Sequence, residues 1–188
     1  MMVDIEGSAE VQNIEKLEIK ASTDVEPDIQ HEFFSSLSDV LRVKAWAILD
    51  IEYIQTTRSH KCIRKLYILE KGAFSSLEQE FYPCRQYQDL ERKYQKSFRF
   101  CRAHIHKLSY NPEKCSSPCS TASEKIRNFI TEKEIDIIFY KGGSIEKNLC
   151  EEFLIPSMNI EEFGVTKAAC HDPRLEVHHY YDQLLRFL

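Results

Sequence analysis

No run of 18 apolar residues occurs in this sequence of 188 residues, so no membrane-spanning helix is expected. The N-terminus lacks the basic and then apolar pattern of a secretory signal. No segment repeats, which excludes solenoid and propeller architectures. Paired cysteines are also missing: the seven, at 62, 84, 101, 115, 119, 150 and 170, are odd in number and scattered. In a chain without a secretion signal that favours free thiols or metal ligands over a disulfide framework. An intracellular, cytoplasmic protein with no membrane partner is expected, long enough for one domain with a real core.

Charge is unevenly placed. Residues 1 to 30 hold eight acids against Lys16 and Lys20, whereas the whole chain is only −5. With no aromatic residue and no strong periodicity, residues 1–28 read as an acidic flexible tail, and 29–188 as the folded domain. Ile29 to Leu41 has helical spacing at Phe33, Phe34, Leu37 and Leu41. Three strand-like stretches follow, at 44–55, 61–72 and 80–84, joined by short polar turns, which predicts an antiparallel meander.

From Gln86 to Leu108 the period becomes helical, with Leu90, Tyr94, Phe98 and Cys101 inward. The polar side is basic, and Arg92, Lys93, Lys96 and Arg99, with Tyr87, Tyr94 and Phe100 interleaved, are candidates to meet a nucleic-acid backbone. In the loop 110–121, Cys115 and Cys119 have a spacing compatible with zinc. Thr121 and Glu124 form a capping-box pattern opening a helix. The apolar run within 134–140, bounded by Gly142 and Gly143, is a buried strand. Ser144 is expected to cap the next helix, 159–165 to be a short strand, and a last helix to carry an inward stripe of Val177, Tyr181, Leu184, Leu185 and Leu188. The fold class is α/β: a mixed five-stranded sheet, antiparallel meander then parallel strands, flanked by helices.

The chemistry is concentrated in KAWAILDIEYIQ, residues 44–55. On a strand, positions i and i+2 share a face, so Asp50 and Glu52 stand beside Trp46 and Ile48. Buried carboxylates are costly unless paired or bound to a metal. Glu146, after the fourth strand, and Asp182, on the last helix, supply two further acids, with His178 and His179 one helical turn before Asp182. Two divalent ions held about 4 Å apart by such acids activate a water and stabilise the leaving oxygen of a phosphodiester. A neighbouring histidine serves as base.

This order of elements, with D-x-E on the first strand, resembles the ribonuclease H-like superfamily and within it the DEDD 3′→5′ exonucleases. The family's second motif, H-N-x-x-F-D-x-x-F-L, is matched without a gap by KGGSIEKNLC: Lys141 stands for the His, Gly142 for the Asn, Ile145 for the Phe, and Glu146 for the Asp. The resemblance implies a ribonuclease H-like sheet and the metal ligands Asp50, Glu52, Glu146 and Asp182 for Mg²⁺ or Mn²⁺, with His178 or His179 catalytic. The family's histidine type places its His five residues before the last acid; counted from Asp182 that position is Val177, while His178 fills the slot of the tyrosine type. Two compact relatives are similar: the exonuclease domain of arenaviral nucleoproteins, and the Maelstrom domain of germline small-RNA (piRNA-type) pathways, which carries zinc. Glu52, Cys170, His171, His178 and His179 offer a variant of that zinc set. The implied function is a metal-dependent nuclease acting on RNA or single-stranded nucleic acid. The alternative is an inactive nuclease-fold scaffold binding RNA or the proteins of an RNA-processing complex, with Zn²⁺ in place of Mg²⁺ or Mn²⁺.

Overall fold

The computed structural model describes residues 37–83, 85–105, 107, 117–169 and 172–188. The expected tail at 1–28 and Cys84, Cys115, Cys170 and His171 lie outside the described residues. Residues 37–43 are helical (α1) and lead into β1 (Trp46–Gln55), β2 (Lys61–Glu70) and β3 (Ser76–Tyr82). Then come α2 (Arg92–His104), β4 (Ser117–Pro118), α3 (Ala122–Glu132), β5 (Ile137–Tyr140), α4 (Ser144–Glu152), β6 (Ser157–Asn159) and α5 (Pro173–Leu184). Among the described residues no helix is long and apolar enough to cross a membrane.

The chain folds as α/β, with a mixed sheet in the order β4-β3-β2-β1-β5-β6. β1, β2 and β3 are an antiparallel meander; β5 runs parallel to β1, and β6 parallel to β5. Among the described residues the sheet has six strands, not the expected five. The additional β4 pairs Ser117 and Pro118 with Phe81 and Tyr82 at the open edge of β3. Two residues are too few for a periodic signal, and a proline is tolerated because the strand is at the edge.

Other elements moved for local reasons. β6 ends where a strand was expected to begin, because the Asn159 side chain accepts from the Glu161 N–H and opens a 3₁₀ turn closed by Gly164 at φ 75°. Short polar side chains offer the backbone such an alternative to a ladder. The capping box at Thr121 does not form: its hydroxyl donates to the Pro118 carbonyl at 2.8 Å. Gly143, not Ser144, occupies the cap of α4.

Two apolar layers sandwich the sheet. On one face Ala47, Leu49, Ile51, Leu66 and Ile68 meet Ile126 and Phe129 of α3 and Leu149 and Cys150 of α4. On the other, Trp46, Ile48, Leu69 and Phe139 meet Leu37 and Leu41 of α1 and Val177, Tyr180 and Leu184 of α5. Burying each large side chain contributes about 1.5–3 kcal/mol, and Trp46 keeps its indole N–H satisfied by donating to the Leu41 carbonyl at 3.0 Å. The expected stripe on the last helix holds only in part, since Leu185 and Leu188 are exposed. The β1–β2 register slips between Glu52 and Tyr53, where Arg64 of β2 is skipped. Bulges of this kind re-aim side chains and gather beside functional sites.

Candidate functional site

Alternation along β1 carries Asp50 and Glu52 onto the face covered by α5, directly beyond Trp46 and Ile48. The parallel ladder to β5 stops at Leu49 opposite Tyr140, so Asp50 stands just past the end of that pairing. The chain leaving β5 turns away through Gly142 at φ 88° and enters α4 at Gly143. This is the crevice at the carboxyl ends of parallel strands where α/β sheets take their ligands.

Glu146 lies in the first turn of α4 and only 5% of it is exposed. Its carboxylate accepts from its own backbone N–H and from the N–H of Ile51, the residue between Asp50 and Glu52. A negative charge in a first helical turn is also favoured by the helix dipole. The third contribution is Glu176 of α5, which is 7% exposed and accepts the Tyr180 hydroxyl at 2.6 Å.

Electrostatics ties these groups together. Asp50, 8% exposed, has its carboxyl pushed well above the usual range by burial, then by the charges of Glu176, Glu146, Glu52 and Asp172. Glu52 is pushed up to about 7 by burial and then by Glu176 and Glu146, with Lys167 opposing. Glu146 also rises to about 7 through burial, against its two backbone hydrogen bonds and the charge of Lys61. Burial and the bond to Glu176 push the Tyr180 hydroxyl up. The charges of Glu176 and Glu146 therefore add to burial in disfavouring the ionised forms of Asp50 and Glu52.

One cation is built in, but it faces the rim. Lys65, opposite Glu52 in the ladder, turns its ammonium to Asp172 at 3.1 Å and Glu78 at 3.4 Å. Burial alone would lower the Lys65 pKa; the hydrogen bonds to Asp172 and Glu78 outweigh it and raise it. Burial works the other way on Asp172, yet the bond to Lys65 brings its carboxyl below the usual value. Asp172 also caps α5, accepting from the N–H groups of Arg174 and Leu175. Lys65 thus staples the start of the helix that carries Glu176 to β2 and β3.

Of the sequence candidates, the structure brings Asp50, Glu52 and Glu146 together and leaves Asp182 exposed, absent from the charges that act on Asp50. His178 packs against Tyr67, its Nε2 lying 3.2 Å from the phenol oxygen. His179 pairs with Gln183 at 2.7 Å, and Gln183 in turn binds Thr166. Neither histidine contacts the acids. Arg92, Lys93, Lys96 and Arg99 are exposed on α2, with Lys93 paired to Glu91 at 3.2 Å, while Tyr94 is buried and Phe100 is exposed. Cys119 is disulfide-bonded, against the expectation of a thiol or zinc ligand, and Cys101 and Cys150 are free.

Glu176 is the residue that sequence reasoning missed. One signal marked it: it falls on the inward face of α5 with Pro173, Val177, Tyr180 and Leu184, where a carboxylate is out of place.

The donor set suits a hard divalent cation, being all carboxylate, with an Asp50 that accepts no hydrogen bond from any described residue. The spacing is open, because among the described residues no group of three or more His, Cys, Asp or Glu is placed to hold a metal ion as it stands. A cavity of about 370 Å³ adjoins the cluster between the end of β1 and α2, lined by Glu52, Tyr53, Phe98, Cys101, Ile105 and Lys167. Compared with protein-family models and with curated proteins, the sequence matches none.

Proposed function

We propose that this chain is a divalent-cation-dependent nuclease of the ribonuclease H-like, DEDD 3′→5′ exonuclease type, acting on RNA or single-stranded nucleic acid. The observation that carries the reading is the meeting of Asp50, Glu52, Glu146 and Glu176, from three separate elements, at the carboxyl end of β1 and β5. The sheet order supports it: a meander of three strands followed by two strands parallel to the first is the order the resemblance implies. With Glu176 as the last acid, the position five residues earlier is His171, which fits the family's histidine type. His171 then takes the role of base in place of His178 or His179.

When bound, Mg²⁺ or Mn²⁺ supplies an activated water and neutralises the leaving oxygen. The protein's own part is positional. Ile51 and the first turn of α4 fix Glu146, the Tyr180 hydroxyl holds Glu176, and the Lys65–Asp172 pair anchors the start of α5. Arg92, Lys96 and Arg99, exposed on α2, offer positive charge to a phosphate backbone.

The test is cleavage of a 5′-labelled single-stranded RNA in Mn²⁺. The proposal expects a ladder shortened from the 3′ end, abolished by EDTA and reduced at least about a hundredfold in Asp50→Asn, equivalent to about 2.7 kcal/mol. A second reading, a nuclease-fold scaffold without turnover that binds RNA or protein, is favoured by the open spacing of the acids and by glutamate at 146 and 176. Binding of the same RNA without any Mn²⁺-dependent product would select it.

A further inference from the structure

On the sheet face opposite α5 lies a cavity of about 580 Å³, between the β1–β2 turn, the start of α3 and α4. That volume is within the range of small-molecule sites. One wall carries two cations, Arg58 and Lys61 of the turn, with His60 between them, all exposed and none in an ion pair among the described residues. The facing wall offers the hydroxyls of Ser120 and Ser123, the floor is the apolar Ile63 and Leu149, and Asn148 of α4 presents an amide at the rim. Glu152 is the single acid among the described lining residues, and Arg127 draws it aside at 4.0 Å.

We infer that this cavity is a nucleotide-binding pocket, in which Arg58 and Lys61 hold a phosphate, Ser120 and Ser123 bind sugar or phosphate oxygens, and Asn148 meets the edge of a base lying on Ile63 and Leu149. Two cations, two hydroxyls, apolar floor residues and an amide in one lining match a phosphate joined to an aromatic ring better than they match an inorganic anion. The ligand is a free nucleotide or one unit of a single strand. The second source has a route: Lys61 lies over the Tyr53 ring at 4.9 Å, and Tyr53 is also a wall of the cavity that contains Glu52. The pocket goes beyond the proposed cleavage and does not require it.

The experiment is done in EDTA, so that binding is read without cleavage. Adenosine and uridine monophosphates are titrated calorimetrically, and a short labelled oligouridylate by anisotropy, against the wild-type protein, the double variant Arg58→Glu/Lys61→Glu, and Asn148→Trp, which fills the cavity from an exposed helix position. A charge-reversed α2 (Arg92→Glu/Lys93→Glu/Lys96→Glu) is the comparison, and thermal melting checks that each variant folds. The pocket predicts at least about tenfold weaker binding in both cavity variants, and for the oligonucleotide a salt dependence shallower by roughly 0.7 per lost phosphate contact. Mononucleotide binding lost in the cavity variants identifies a free nucleotide, and oligonucleotide binding alone, lost in the same variants, identifies a strand segment. Unchanged affinity in the folded cavity variants, sensitivity only to the α2 variant, or no binding of any of these probes overturns the inference.

Discussion

On the α3–α4 face of the sheet, Ala47, Leu49 and Ile51 of β1 continue into Leu66, Ile68, Ile126 and Phe129 with hydrocarbon throughout. On the α5 face, alternate residues of the same strand begin as Trp46 and Ile48 and then turn into Asp50 and Glu52, met by Glu146 and Glu176. Both faces are buried to a similar degree, yet one is filled with groups that favour burial and the other with groups that resist it. The two-residue period of a strand lets a single segment serve both purposes, since each face is specified independently of the other. The difference also separates stability from function: the acids destabilise the fold that the opposite face holds together.

The largest effect is expected from moving a charge to the hydrocarbon face. Leu49→Asp puts an unpaired carboxylate among apolar neighbours and should cost more than about 4 kcal/mol, read as loss of a cooperative denaturant transition. Its neighbour Asp50→Asn should leave the fold intact and raise denaturation stability at pH 8, because it removes a carboxyl whose ionised form burial and the neighbouring acids disfavour. Destabilisation by Asp50→Asn would show that this carboxylate is satisfied by a partner, contrary to the site as described.

Next comes the pH dependence of folding. Glu52 and Glu146 titrate at about 7 in the folded protein, above the ordinary 4.5, so the folded state holds protons that the unfolded state has released. Their contribution is full below about pH 4.5 and is lost as pH rises through 7. Without divalent metal, the melting temperature should fall by several degrees between pH 5 and pH 8, as followed by circular dichroism. Mn²⁺ at about a hundred times its dissociation constant should recover about 2.7 kcal/mol at pH 8. A flat melting profile with no effect of Mn²⁺ would remove the electrostatic basis of the site. The smallest effect is predicted for Asp182→Asn, which is exposed and should change stability by less than about 0.5 kcal/mol.

What could be read in advance followed from regular periods. The shared face of the D-x-E pair was legible because a strand alternates, whereas Glu146 was marked by the likeness of KGGSIEKNLC to the family's second motif. The last helix was misjudged by starting its inner face at Val177. The helix begins at Pro173 under an Asp172 cap, and from that start Glu176 falls inward one turn before Tyr180. Residues 185–187 form a 3₁₀ turn, which rotates the terminal leucines outward and breaks the expected stripe. β4 depends on a pairing with β3 distant in sequence, which no local period encodes.

The central claim is that Glu176, and not Asp182, completes the acid cluster begun by Asp50 and Glu52. Calorimetric titration of Mn²⁺ into the wild-type protein, Glu176→Gln and Asp182→Asn at pH 8 tests it most directly. The account predicts binding in the wild type and in Asp182→Asn, with affinity at least about tenfold weaker in Glu176→Gln. Retained affinity in Glu176→Gln with loss in Asp182→Asn, or no binding by the wild type, would contradict it.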